Sequence, residues 1–198
     1  SSNNLSAYRL IESWPNWPGK WVNIFGPKGC GKTHLINILK KKINSVKILD
    51  AKKIENGIIS KLLKLDCLII DNYEKNIDEK IFYSLLNQSK QSDSYLLVNS
   101  ILPLGNIKFD LKDLRSRTES FINLGIELPT DDLLRVIISK SFSDKQIEIT
   151  PKISEYIIKN IERSYEKVFK FIKEIDDLSL SSGKSININL IKKVLNNE

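Results

Sequence analysis

The 198-residue chain contains no methionine, one histidine, two cysteines, six prolines and eight glycines. Two cysteines, Cys30 and Cys67, are too few for a disulfide framework, and reduced thiols are the expected state. The single histidine, His34, reads as a packing or hydrogen-bonding residue at the start of a helix rather than a catalyst. No stretch approaches the roughly 18 consecutive apolar residues of a membrane span, and no basic segment followed by an apolar run opens the chain. These absences predict a soluble, cytoplasmic protein with no membrane partner. With Ser1 first and no Met, the natural N-terminus is expected to lie upstream, with any recruitment motif. Neither an internal repeat nor a low-complexity tract is present.

What is there is an ordinary apolar share, 41% hydrophobic residues, enough for one good core or a core plus a small appended subdomain. The net charge of +7 permits contact with DNA without demanding it, because the lysines are spread along the chain among Ile and Asn. Lys40-Lys41-Lys42, the one tight basic cluster, suits the negative end of a helix dipole and reads as a solvated helix end.

Apolar runs recur at Trp21–Phe25, Val46–Leu49, Cys67–Ile70 and Tyr95–Val98, with a fifth strand around Phe121–Leu128. Most are followed by apolar residues at helical spacing, at Thr33–Leu39, Ile54–Leu65 and Asp78–Leu86. This alternation predicts an α/β fold with a parallel, buried, five-stranded sheet flanked by helices. Beyond Pro129 the pattern is helical only. Thr130 reads as an N-cap before Asp131 and Asp132, Thr150-Pro151 as a cap followed by proline at the first helical position, and Ser179–Ser185 as an exposed loop. The stripe Ile157, Ile161, Val168, Ile172, Ile175 is core, with one longer step. Residues 1–128 are therefore expected to form an α/β subdomain and residues 129–198 a small all-helical one.

The chemistry is concentrated in Gly26-Pro27-Lys28-Gly29-Cys30-Gly31-Lys32-Thr33, which follows a predicted strand and opens a predicted helix, as a Walker A phosphate loop does. The glycines allow the backbone to turn its N–H groups towards phosphate oxygens at a helix N-terminus. Lys32 would reach the β- and γ-phosphates of ADP or ATP, and the Thr33 hydroxyl would ligate Mg2+. Cys30 is a spacer whose oxidation could disturb the loop. A second apolar strand, Cys67–Ile70, ends in Asp71, the carboxylate of a Walker B segment on the magnesium side. Asn72 follows, and an amide cannot act as a base, so hydrolysis in cis should be slow. Glu74 is a weaker substitute for a second acid. The indoles of Trp14-Pro15-Asn16-Trp17-Pro18 are expected to pack in the core, with the sheet edge or the nucleotide base as alternatives.

Extended to His34-Leu35, the phosphate loop resembles the AAA+ domain of the bacterial replication initiator family DnaA, and the chain is closer still to the Hda/HdaA type. The Asp71-Asn72 pair, the Trp-Pro-Asn-Trp-Pro lead-in and the lack of a helix-turn-helix after the lid carry the second likeness. The resemblance implies a P-loop NTPase of the AAA+ class that, with the DNA-loaded sliding clamp, stimulates hydrolysis of ATP bound to DnaA. It places an arginine finger at Arg117 within Leu114-Arg115-Ser116-Arg117, with Arg115 a weaker candidate, and a sensor I residue at Asn99, with Ser100 beside it. It also implies clamp contact through a motif upstream of Ser1, and is compatible with self-association. Glu166 falls where the family has its sensor II arginine, and Arg163, one helical turn earlier, is expected to compensate. A competing reading is an autonomous AAA+ ATPase of the helicase-loader or DNA-remodelling type. A third is a scaffold that binds nucleotide only to fold.

Overall fold

The computed structural model describes residues 2–55, 57, 58, 62, 65–147, 149–183 and 186–195. The strands are β1 (Trp21–Phe25), β2 (Val46–Asp50), β3 (Cys67–Tyr73), β4 (Tyr95–Ser100) and β5 (Ile122–Gly125). All pair in parallel, in the order β2-β3-β4-β1-β5. Because both faces are covered, the strands carry continuous apolar runs rather than an alternation. Leu68, Ile70, Leu96 and Val98 pack on one face with Phe82, Leu85 and Leu86 of α3 (Glu79–Gln91) and Leu114 of α4 (Lys112–Thr118). Val22, Ile24, Ile69 and Leu97 pack on the other with Ala7 and Ile11 of α1 (Ser2–Glu12) and Leu35, Ile36 and Leu39 of α2 (Lys32–Lys40).

The five expected strands are present, and β3 and β4 run further than their apolar residues do. Asp71, Asn72, Asn99 and Ser100 continue the strands, carrying polar side chains to the carboxyl edge of the sheet, where open α/β sheets bind their ligands. The helix expected over Ile54–Leu65 lies partly on residues 56, 59–61, 63 and 64, outside the described residues. Ile54 and Leu62 are buried in the first core cluster. Trp14 and Trp17 pack edge to face with each other and with Tyr95, and the Trp17 indole N–H donates to the Leu10 carbonyl, which is the core-packing alternative. Lys42 of the basic cluster pairs with Glu12 at 3.0 Å.

Two compact units comprise Ser1–Glu127 and Leu128–Glu198. The second is helical: α5 (Asp131–Ser143), α6 (Pro151–Asn160), α7 (Tyr165–Ser182) and α8 (Ile188–Leu195). Thr130 and Thr150 cap α5 and α6 by accepting the N–H of Leu133 and Ile153, and Ser164 caps α7 by accepting that of Lys167. The longer step in the Ile157-to-Ile175 stripe is the turn between α6 and α7. Residues 179–182, expected as loop, instead finish α7, whose end is set by Gly183 in the left-handed conformation at φ 60°. Among the described residues no helix is long and apolar enough to cross a membrane.

One buried polar residue fixes the upper part of the sheet. Asn23, fully buried in β1, donates to the Val98 carbonyl at 2.9 Å and to Ser100 Oγ at 2.8 Å, and accepts the Leu104 N–H at 3.0 Å. It holds the end of β4, where Asn99 sits, against β1. Asn23→Ala leaves the Leu104 N–H and two acceptors buried without their partner. This should cost about 2–3 kcal/mol of stability in urea melts; a loss below about 0.5 kcal/mol would contradict the assignment.

Candidate functional site

The phosphate loop departs from β1 and closes on the first residue of α2. A Cβ on Gly26 would lie 2.2 Å from the Ile126 carbonyl oxygen, so only glycine fits where the loop passes β5. Gly29 and Gly31 have φ of 75° and 101°, the left-handed backbone that turns successive N–H groups inward. The Lys32 ammonium donates to the carbonyls of Gly26 at 2.6 Å and Pro27 at 2.9 Å. Lys28 points outward and pairs with Glu74 at 3.2 Å, bringing that acid to the loop's outer side.

Asp71 is the hub. Its Oδ2 accepts from Thr33 Oγ1 at 3.2 Å, and its Oδ1 accepts from Asn99 Nδ2 at 3.1 Å and from the Asn72 N–H at 2.9 Å. Three residues named from sequence, on β3, β4 and α2, are therefore brought together. Asn99 Oδ1 is buried and has no donor among the described residues, an uncommon condition for an interior acceptor. A carboxylate, a hydroxyl and a free amide oxygen beside an inward-facing N–H loop fit the magnesium and phosphates of a nucleotide. Thr33 and Asp71 would hold the ion, and the Gly26–Thr33 backbone with Lys32 the phosphates.

The residue after Asp71 is turned away from this cluster. A bulge shifts the β3–β4 register between Ile70 and Tyr73, and Asn72 within it has φ 59°, a conformation asparagine tolerates better than most residues. The Asn72 amide donates to Asp50 Oδ2 at 3.2 Å, and Lys52 N–H donates to Asp50 Oδ1 at 2.9 Å. The Lys52 N–H and then Asn72 hold the Asp50 carboxyl below its usual range. Asp50 was not anticipated, although it ends β2 beside Asp71 in the ladder, and a strand-end carboxylate one strand over is a usable signal.

Arg117, in α4, lies away from this cluster on α3. Its guanidinium carbon is 4.7 Å from the Tyr83 ring centroid, Nη2 is 3.5 Å from the Tyr83 hydroxyl, and Nη1 is buried with no acceptor among the described residues. Arg115 is a local staple, donating to the Phe109 carbonyl at 2.7 Å. Glu79 accepts the N–H groups of Asp110 and Leu111, so the start of α4 is fastened to the start of α3. Sequence reasoning missed Glu79 and Tyr83, because the partners are some 30 positions away and leave no local pattern. In the helical unit, Arg163 precedes the cap of α7 instead of lying one turn earlier on the same helix. Its Nη2 is 3.0 Å from Asp131 Oδ1. Glu166 stands in the first turn of α7, where a carboxylate favours the helix dipole.

Two outcomes follow from these environments. Burial pushes the Cys67 thiol up to about 12, with Asp66 adding to it, and burial raises the Cys30 thiol against the pull of Lys32. Thiolate is the reactive form, so iodoacetamide at pH 8 should leave both cysteines unmodified in the folded protein while alkylating both in urea, as read by mass. The Glu79 carboxyl is lowered chiefly by the Leu111 N–H and further by that of Asp110. A lowered folded-state value means stabilisation that is full above the unfolded value of 4.5 and lost as pH falls through the lower folded value. Glu79→Gln should therefore be less stable than wild type by about 1 kcal/mol at pH 7, with the gap closing below about pH 4; a gap that stays constant with pH would refute the charge-based role.

No protein-family model matches the chain. It is 24% identical to the chromosomal replication initiator protein DnaA of Buchnera aphidicola over 226 aligned positions, covering 98% of this chain and 50% of that protein. The chain thus spans about half the length of the relatives it matches. Domain III of Thermotoga maritima DnaA superposes with a TM-score of 0.79 at 18% identity, covering 100% of this chain and 92% of that one. AMPPCP-bound DnaA from Aquifex aeolicus gives 0.70 at 21% identity, covering 89% and 62%. The Thermotoga maritima RuvB Holliday junction branch migration motor gives 0.71 at 21%, covering 98% and 68%, so the fold is shared beyond DnaA. With the phosphate loop and the Asp71 hub in place, the chain has the AAA+ fold and is a distant homologue of the AAA+ domain of DnaA proteins.

Proposed function

We propose that this chain is a nucleotide-bound regulator of bacterial replication initiation. In this reading it presents Arg117 in trans to ATP held by DnaA, acts in concert with the DNA-loaded sliding clamp, and turns over little ATP itself. The observation that carries it is Asn72: the position after the Walker B aspartate holds an amide whose backbone and hydrogen bond direct it to Asp50. A group that cannot take a proton does not activate water, whereas the phosphate loop and Asp71 retain what is needed to grip ADP or ATP with Mg2+. The AMPPCP complex of the Aquifex homologue supports an adenine nucleotide as ligand. Bound nucleotide supplies negative charge for the loop N–H groups and Lys32. Thr33 and Asp71 orient oxygen ligands, and Asn99 offers its free amide oxygen to a water. Arg163 is the remaining candidate for a contact from the helical unit, in competition with Asp131. Direct DNA contact and self-association are secondary proposals.

A second reading, an autonomous AAA+ ATPase of the helicase-loader or DNA-remodelling type, draws on Glu74, the acid that pairs with Lys28 of the phosphate loop. The deciding measurement is the rate at which ATP on the cognate DnaA is hydrolysed in the presence of loaded clamp and this protein, wild type against Arg117→Ala. The regulator reading expects stimulation by wild type and a return to the unstimulated rate in the variant, a loss of about 10³-fold or more, with equal ADP binding by both. Stimulation by neither, with basal ATP turnover that falls in Glu74→Gln, would replace it with the autonomous ATPase.

A further inference from the structure

We propose that Tyr83 is the positioning residue of Arg117: its ring holds the guanidinium on α3 without neutralising its charge, so that the side chain can turn its N–H donors to a phosphate presented by a partner. The inference rests on the regulator reading above. An arginine held by a carboxylate has its charge neutralised and its donors occupied. Over an aromatic face the same side chain is attracted by the ring quadrupole and keeps both. Arg117 has the second arrangement. Its Cζ lies 4.7 Å from the Tyr83 centroid, its one hydrogen bond to that residue is long at 3.5 Å, and its Nη1, buried in this resting position, finds no acceptor among the described residues and gains one by turning outward.

The surroundings serve the same end. Glu79 and Tyr83 are four residues apart on α3 and so share a helix face. Glu79 takes the N–H groups at the start of α4, and Tyr83 takes the side chain near its end. Arg115, the other guanidinium of the segment, is tied to the Phe109 carbonyl and does not compete for the ring. Tyr83 also lines a depression of about 300 Å³ with Lys80, Ser84, Leu111, Lys112 and Asp113. The support of the finger is therefore reachable from solvent, beside two lysines that suit a phosphate-bearing partner.

The test measures hydrolysis of the partner-bound nucleoside triphosphate as a function of the concentration of this protein, for wild type, Tyr83→Phe, Tyr83→Leu and Arg117→Ala. Leucine keeps apolar volume and removes the π face; phenylalanine keeps the face and removes the hydroxyl. Tyr83→Phe should stay within about twofold of wild type. Tyr83→Leu should lower the maximal rate about fivefold with the half-saturating concentration unchanged, and the ring-current shift of the Arg117 side chain in its NMR spectrum should disappear. A wild-type maximal rate in Tyr83→Leu, an effect confined to the half-saturating concentration, or an equal loss in Tyr83→Phe would overturn the assignment while Arg117→Ala still abolished stimulation. Full stimulation by Arg117→Ala would instead overturn the regulator reading on which it rests.

Discussion

The bond from Thr33 to Asp71 ties together two element ends that share one core: the first turn of the helix behind the phosphate loop and the end of β3. Each side chain stands at an element terminus, and each position is decided by burial far from the site. Leu35, Ile36 and Leu39 seat α2 on the sheet, and Cys67 and Ile69 seat β3. The hydroxyl and the carboxylate then meet without either segment being strained into place. Asn99 completes the arrangement from β4, which Asn23 clamps to β1 from within the sheet. Packing thus delivers three polar groups to one point, and their chemistry follows from that delivery.

The α3–α4 region uses a different physics. Here electrostatic contacts at short range set the geometry: the Glu79 carboxylate on two backbone N–H groups, and the Arg117 guanidinium on the Tyr83 ring. Leu114 alone gives this short helix a fully buried apolar anchor, with Thr118 beside it. An element held this way can be firm at neutral pH and still leave a charged side chain able to exchange one partner for another, which a helix fixed only by its core could not.

The strands and the phosphate loop were legible because their signals are local. A buried parallel strand must be apolar along its length, and a phosphate loop must be glycine-rich at fixed spacing. Strand ends were legible only in part: Asp71 and Asn99 were placed at the ends of their strands, but the continuation of β3 through Asn72 to Tyr73, with its bulge, was not, because hydropathy stops at the last apolar residue before the polar pair. α1 escaped notice because, among the described residues, it buries only Ala7 and Ile11 in the core, and contacts distant in sequence add to its hold, among them the two hydrogen bonds between the Asn4 amide and the backbone of Glu127. The serines at 179, 181 and 182 suggested a loop, yet the helix continues to the one residue that can end it, Gly183. Arg163 was placed on a helix by counting back from Glu166, and the Ser164 cap shows why counting failed: the helix begins only afterwards. The Tyr83–Arg117 and Glu79–α4 contacts depend on a chain reversal between them and could be seen only once folded.

Asn72 differs from a simple exchange of side chain, because the bulge and the positive φ belong to the backbone. Placing a glutamate at this position would put a long carboxylate on a left-handed residue, next to Asp50 and aimed at the neighbouring strand. Two negative groups would then face each other where an amide now bridges. Relieving that opposition requires the extra residue of the bulge to be removed and β3 re-registered against β4, so one substitution does not turn this position into a catalytic base.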